Sequence, residues 1–159
     1  MAFWLLKSEP SVFSVQDLQQ RPQQTEPWDG VRNYQARNML RDQMQVGDLA
    51  FFYHSNCETP GIVGIVEIVT PGYPDTTAFD PNHKYYDPKG TPEQPRWYRV
   101  DVRFVRELPR VVTLRELKLR AELSDLPLVQ RGNRLSVMPV SVEAWQLILQ
   151  LAASEPMKK

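Results

Sequence analysis

The sequence contains few of the residues on which active sites and metal centres are usually built. Among its 159 residues there is one cysteine, Cys57, and there are two histidines, His54 and His83. One cysteine excludes an intramolecular disulfide and a cysteine-based zinc cluster. The sequence also has no phosphate-binding glycine-rich loop, no Gly-x-Ser-x-Gly nucleophile elbow and no His-Glu-x-x-His pair. We therefore expect no catalytic residues, no bound metal and no cofactor.

Long hydrophobic runs are absent as well. No apolar stretch approaches the roughly 20 residues that span a bilayer. The apolar residues 3–6 are followed directly by Lys7, which does not fit a signal peptide. The sequence thus favours a cytoplasmic protein with no membrane partner. Its length and its 42% hydrophobic content predict a single domain over residues 2–152, with a frayed C-terminal tail over residues 153–159.

Charge is balanced over the whole chain but not along it. The 19 basic and 19 acidic residues cancel, whereas residues 31–41 hold three arginines and no acid, and residues 96–134 hold ten bases and five acids. Basic segments that converge on one face can bind phosphates, although the same pattern is typical of an ordinary solvated surface. A neutral chain argues against sequence-independent wrapping of duplex DNA.

The hydrophobic pattern predicts a mixed α+β chain. Strands are predicted at residues 3–7, 49–54, 62–69, 97–105 and 135–140. Short helices are predicted after the capping residues Ser14, Asn33, Thr113 and Ser141. Loops are predicted at residues 21–27 and at the long, acidic stretch 72–95. Because this order lacks the alternation of a doubly wound sheet, we expect a curved mixed sheet or partial β-barrel flanked by short helices.

Aromatic side chains with polar neighbours are the stronger functional signal. Trp28 lies in a predicted loop just before a helix, and residues 51–55 end a strand with aromatic and polar groups. Since strand side chains alternate, Phe52 and His54 share the face opposite Tyr53. Unpaired bases bind by stacking on such rings and by hydrogen bonds to their edges. Tryptophan and tyrosine are equally typical of a structural core.

Two other classes of function stay open at this point. An enzyme would need an acid–base pair, for which Glu9 with His54 is the best available. A nucleophilic Cys57 beside His54 would need an exposed thiolate in electropositive surroundings, and a structural cysteine fits better. A protein-interaction module with a vestigial pocket is the other alternative.

An ordered series of short motifs resembles the EVE domain. The motifs are residues 4–10 (Trp-Leu-Leu-Lys-Ser-Glu-Pro), 28–38 (Trp-Asp-Gly-Val-Arg-Asn-Tyr-Gln-Ala-Arg-Asn), 47–48 (Gly-Asp), 51–55 (Phe-Phe-Tyr-His-Ser), 61–64 (Gly-Ile-Val-Gly), 73–75 (Tyr-Pro-Asp), Trp97 and 131–136 (Arg-Gly-Asn-Arg-Leu-Ser). Any one motif is weak, whereas the ordered set is specific and covers residues 3 to about 151. The basic N-terminal extension of the thymocyte nuclear protein branch is not in this sequence, which resembles the stand-alone bacterial form.

The resemblance implies a PUA-like fold, whose curved sheets bind nucleic acid. It also implies kinship with YTH domains, which recognise N6-methyladenine in RNA through an aromatic cage. Lys7 and Ser8 match the Lys-Ser pair beside the base in YTH domains, and Trp28 resembles their first cage tryptophan. The second cage aromatic stays open among three candidates, which are Tyr53, Trp97 and the loop at residues 73–74.

Members of the thymocyte branch are associated with modified cytosines in DNA, such as 5-methylcytosine and 5-hydroxymethylcytosine, and bacterial members with restriction or modified RNA. We therefore predict a non-catalytic reader of a modified base in DNA or RNA, which is extruded from its stack into a pocket. The residues predicted to line this base pocket are Lys7, Ser8, Trp28, Val31, Asn33, Tyr53, His54, Ser55 and Trp97. The residues predicted to contact phosphates are Arg32, Arg131 and Arg134.

Overall fold

The computed structural model describes residues 1–154 and contains one six-stranded sheet. Its strands are β1 (Phe3–Ser8), β2 (Thr25–Pro27), β3 (Leu49–His54), β4 (Gly61–Pro74), β5 (Tyr98–Thr113) and β6 (Val137–Val140). The strand order is β2-β5-β4-β3-β1-β6, in which β1 and β3 are parallel and every other pair is antiparallel. The predicted α+β class with a mixed sheet is confirmed.

Four short helices flank the sheet, and each begins at a predicted capping residue. They are α1 (Val15–Gln19), α2 (Tyr34–Asn38), α3 (Leu114–Lys118) and α4 (Val142–Ala152). The side chains that accept a backbone N–H of the first turn are Ser14, Asn33, Thr113 and Ser141. A π-type turn at Met39–Gln43 extends α2. None of the helices within residues 1–154 is long and apolar enough to cross a membrane.

The largest differences from the sequence prediction concern β2, β4 and β5. Residues 25–27, predicted as loop, form β2, a polar strand at the edge of the sheet that pairs with β5. A proline is tolerated at such an edge because one side of the strand needs no ladder partner. Strands β4 and β5 run beyond their predicted ends because β-bulges absorb their register shifts. Of the predicted frayed tail, residues 155–159 lie outside the described residues.

The two faces of the sheet bury separate hydrophobic clusters. Leu5, Phe51 and Tyr53 pack on the face that α4 covers, together with Trp145. Trp4 and Phe52 pack on the opposite face, where α1 and α2 lie. The predicted alternation along β3 is thus confirmed. Both clusters meet at β1 and β3, so the carboxyl ends of these parallel strands lie between them.

Candidate functional site

A cleft of about 410 Å³ opens at the carboxyl end of β1. We call it the Trp28 cleft. Its walls come from four segments that lie far apart in the sequence, together with Val12, Phe13, Arg21 and Ser55. The segments are residues 7–9, 26–31, 83–85 and 134–136. A volume of this size lies within the range of small-molecule pockets.

Trp28 forms part of the cleft wall and is anchored from behind. Its backbone N–H donates to the carbonyl of Val100 at 2.7 Å. The ring meets Phe52 edge-on at 5.2 Å between centroids, and Phe13 edge-on at 6.4 Å. Within residues 1–154 no aromatic ring stacks on Trp28. The residue is 7% exposed, so only a small part of its surface faces the cleft.

The loop after Trp28 is held by Asp75, which is fully buried. One carboxylate oxygen accepts the Gly30 backbone N–H at 2.9 Å and the Arg32 guanidinium at 3.1 Å. The other accepts the backbone N–H of Thr77 at 3.0 Å. Burial alone would raise the pKa of Asp75, but hydrogen bonds from Thr77, Gly30 and Arg32 hold the pKa below its ordinary value. Asp75 is therefore an ionised anchor for the Trp28 loop.

The long acidic segment supplies the opposite wall of the cleft. Tyr85 packs so closely on Gly30 that a Cβ at that glycine would lie 2.4 Å from its ring. The Tyr85 carbonyl accepts the Arg32 guanidinium at 2.7 Å. Gly30 also has φ of 77°, a conformation that favours glycine. The segment that was predicted as a loop thus builds one side of the cleft.

Charged groups of both signs line the cleft. Asp29, which directly follows Trp28 in the sequence, lines the cleft. Burial raises the pKa of Asp29, and the negative charge of Asp75 raises it further. Burial lowers the pKa of Lys7 on the other side. Sequence reasoning missed Asp29, although it directly follows Trp28 in the quoted motif. It also missed Tyr85, for which the sequence carries no local signal because the fold alone brings it to Gly30.

Six of the residues predicted for the site line this cleft: Lys7, Ser8, Trp28, Val31, Ser55 and Arg134. The predicted residues Tyr53 and Arg131 lie instead on a second cavity, which also includes Lys7 and Ser55. Because Tyr53 belongs to the opposite face of β3, it does not close an aromatic cage around Trp28.

The other four predicted residues line neither cavity. Asn33 caps α2 through the Ala36 N–H. His54 accepts the Val15 N–H at 3.1 Å, and burial lowers its pKa. Their predicted contacts to a base or phosphate stay predictions.

Arg32 and Trp97 form a support behind the Trp28 loop. The Arg32 guanidinium, bound to Asp75, lies 5.4 Å from the Trp97 ring. Trp97 stacks on Tyr34 at 4.9 Å and donates its indole N–H to Asp87 at 2.6 Å. These contacts position the loop rather than place either side chain in the cleft.

Glu9 and His54, the pair considered for catalysis, each accept a hydrogen bond from another group. Glu9 accepts a hydrogen bond from Asn56 at 2.6 Å, whereas His54 accepts the Val15 N–H. Within residues 1–154 no three His, Cys, Asp or Glu side chains form a group that could hold a metal ion. The cleft has an aromatic wall and polar, charged rims.

Comparisons with known proteins agree on one family. A family model of the EVE domain matches residues 2–151. Mouse thymocyte nuclear protein 1 is 46% identical over 97% of this chain and 75% of that protein. A Pseudomonas syringae crystal structure superposes with a TM-score of 0.91 and 53% identity, covering 95% of this chain and 99% of that chain. Human THYN1, crystallised with 5-methylcytosine containing DNA, superposes with a TM-score of 0.90 and 44% identity, covering 98% and 100%. The chain therefore belongs to the EVE domain family.

Proposed function

We propose that the protein is a non-catalytic reader of a modified nucleobase, and that the base inserts into the Trp28 cleft. The observation that carries this proposal is an unstacked tryptophan in a cleft of about 410 Å³ with a carboxylate beside it. The relative human THYN1 was crystallised with 5-methylcytosine containing DNA, which supports modified cytosine in DNA as the first ligand to test. The base leaves its stack to reach the cleft, as in other proteins that flip bases.

Stacking on Trp28 supplies the part of the affinity that does not depend on sequence. Base–aromatic stacking contributes about 1–3 kcal/mol per base. Phe13 and Phe52 hold the indole edge-on, so the ring is already in place before the ligand arrives. A prearranged ring loses little conformational entropy on binding, which favours affinity.

Asp29 recognises the hydrogen-bonding edge of the base. A carboxylate accepts a hydrogen bond from the exocyclic amino group of cytosine. Pro27 and Val31, also in the cleft wall, offer apolar contact to a substituent at the 5-position. One added methyl group in an apolar pocket contributes about 1–3 kcal/mol of discrimination, so we expect moderate selectivity.

Lys7 and Arg134 act at the phosphates that flank the base. Both line the cleft, and neither forms an ion pair with a carboxylate within residues 1–154. Phosphate contacts strengthen binding in a way that salt weakens. The neutral net charge of the chain keeps this contribution small. Selectivity between oligonucleotides therefore depends mainly on the base in the cleft.

Fluorescence titration with short single-stranded oligonucleotides tests the proposal. Each strand carries one base, either cytosine, 5-methylcytosine, 5-hydroxymethylcytosine or N6-methyladenine, in DNA and in RNA. We expect saturable quenching that prefers one modified base. Trp28→Ala should weaken that binding about 5- to 150-fold, the equivalent of one stacked base. Equal affinity of Trp28→Ala and wild type, or equal affinity for marked and unmarked strands, contradicts the proposal.

The matched control is Trp145→Ala. Trp145 is also buried, but it packs in the cluster on the other face of the sheet. This variant should retain wild-type affinity and should separate loss of the binding ring from a general loss of stability.

A further inference from the structure

A second cavity, of about 650 Å³, lies on the other side of the β1 and β3 ends. We call it the Lys118 cavity. Its walls are the ends of these strands, the first and last residues of α3 and the segment 128–133. Its chemistry differs from that of the Trp28 cleft.

The Lys118 cavity is lined by cations without acids. Its charged residues are Lys7, Lys118 and Arg131, and no aspartate or glutamate lies on its wall. The Trp28 cleft, in contrast, carries Glu9, Glu26 and Asp29. None of the three cations forms an ion pair with a carboxylate within the described chain. A concave surface with three unopposed positive charges attracts anions.

Uncharged donors complete the wall. The side-chain nitrogen of Asn133 is buried and has no acceptor among residues 1–154. Burial, and secondarily Cys57, raises the pKa of Tyr53 to about 12, so its hydroxyl keeps its proton at neutral pH. Tyr53 is 2% exposed, less than the 7% of Trp28. The cavity therefore fits a phosphate and sugar better than a base.

The two cavities share a wall. Lys7 and Ser55 line both of them, and the Ser55 N–H donates to the Ser8 carbonyl at 3.0 Å, which joins the two strand ends. A chain that leaves one cavity across these ends enters the other. In nucleic acids the base and the neighbouring phosphate are joined by a continuous backbone.

We propose that the Lys118 cavity binds the backbone phosphate and sugar next to the base held in the Trp28 cleft, so that one strand crosses the ends of β1 and β3. This inference rests on the proposed function. Lys118 and Arg131 bind the phosphate. The cavity makes the site at least two nucleotides wide, and a short oligonucleotide binds more tightly than an isolated nucleoside.

The experiment compares a 5-methylcytosine nucleoside with a trinucleotide that carries the same base in the middle, by calorimetry at low salt. The wild type should bind the trinucleotide at least 10-fold more tightly. Lys118→Glu should reduce this gain about 5-fold and lower the slope of log affinity against log salt by about 1, the effect of one lost phosphate contact. Nucleoside affinity should stay unchanged, because Lys118 does not line the Trp28 cleft.

Arg115→Glu is the matched control. Arg115 lies on the same helix and carries the same charge, but it does not line the cavity, and its variant should retain the full gain. An unchanged gain in Lys118→Glu overturns the inference. Binding of inorganic phosphate alone that depends on Lys118, without any gain from the trinucleotide, overturns it in favour of a free-anion site. Failure of the nucleoside to bind, with a trinucleotide affinity that still depends on Lys118, contradicts the base pocket while supporting the Lys118 cavity.

Discussion

Trp28 and Trp145 are both deeply buried, on opposite faces of the sheet, but their neighbours pack against them differently. Trp145 is 5% exposed and stacks on Phe3 at 4.4 Å and on Phe51 at 3.9 Å. Trp28 is 7% exposed but meets its aromatic neighbours only edge-on, and it lines a cleft. Exposure alone does not separate the two residues. The orientation of the neighbouring rings does, because the rings beside Trp145 lie nearly parallel to its indole and those beside Trp28 lie nearly perpendicular.

The surrounding structure explains this difference. Trp145 belongs to α4, an 11-residue helix whose apolar side closes its face of the sheet. The opposite face is covered by α1 and α2, each of 5 residues, and by a loop tied to Asp75. Short helices cannot cover a six-stranded sheet completely, so an opening remains where the loop turns. Both faces bury a hydrophobic cluster, but the Trp28 cleft opens on the face with the shorter helices.

Trp145→Ala tests the structural half of this comparison and should have the largest effect. Truncation of a buried tryptophan removes its stacked contacts and leaves a cavity, which should lower the free energy of unfolding by about 3–5 kcal/mol. Urea denaturation measures this change. The folded fraction should still bind the modified oligonucleotide with wild-type affinity. A loss of affinity in the folded protein would show that the two faces are not separate.

Asp75→Asn tests the anchor of the binding face. Arg32 and Arg99 lie 3.1 and 3.7 Å from this carboxylate. Removing its charge leaves Arg32 without its ion-pair partner and leaves Arg99 only Asp29, at 3.9 Å, which should cost about 3 kcal/mol. The folded-state pKa of Asp75 is lowered, so its contribution is present above the ordinary value of 3.8 and is lost as pH falls through the lower value.

Denaturation of Asp75→Asn at several pH values checks this expectation. Asp42→Asn, which removes an exposed partner of Arg41, is the control and should leave stability unchanged. A stability loss in Asp75→Asn that persists undiminished at acidic pH would argue against the role of the charge.

Asp29 allows a test of the polar edge by pH. Burial raises the pKa of Asp29 above the ordinary 3.8, so this carboxylate becomes protonated at a higher pH than an exposed aspartate. The protonated group can no longer accept a hydrogen bond from the amino group as a carboxylate. Affinity for the modified cytosine strand should therefore fall as pH is lowered toward this value, by about 10-fold or more for a hydrogen bond to a charged group. Asp29→Asn should be weaker at neutral pH and lack this dependence, and an identical pH profile in both proteins would exclude Asp29 from recognition.

Local sequence signals predicted most strands and the helix caps. The edge strand β2 and one wall of the cleft depend on contacts between residues that are far apart in the sequence. Ser14 and Ser141 were predictable because a cap depends on residues within one turn. The edge strand β2 was not, because its polar residues become a strand only by pairing with β5, more than 70 positions away. The same distinction between local and long-range contacts explains why only part of the cleft was predictable. Trp28 stands out in the sequence, whereas Tyr85 reaches Gly30 only through the folded loop.

Gly30→Ala should have the smallest effect on stability and separates backbone strain from the shape of the cleft. The left-handed conformation at φ of 77° costs an alanine about 1–2 kcal/mol. The new Cβ would also meet the end of the Tyr85 ring at 2.4 Å. A flexible side chain can turn away from such a contact, so most of the stability loss should come from the backbone.

Gly47→Ala supplies the matched control, because Gly47 has φ of 93° and a Cβ added there would meet no neighbouring group within 4 Å. Both variants should lose similar stability in urea denaturation. Only Gly30→Ala should also lose affinity for the modified strand, by about 5-fold or roughly 1 kcal/mol, since Tyr85 must leave the wall of the cleft. Equal affinity in the two variants would mean that Tyr85 covers the loop without shaping the site, and the binding face would then depend on Trp28 and Asp29 alone.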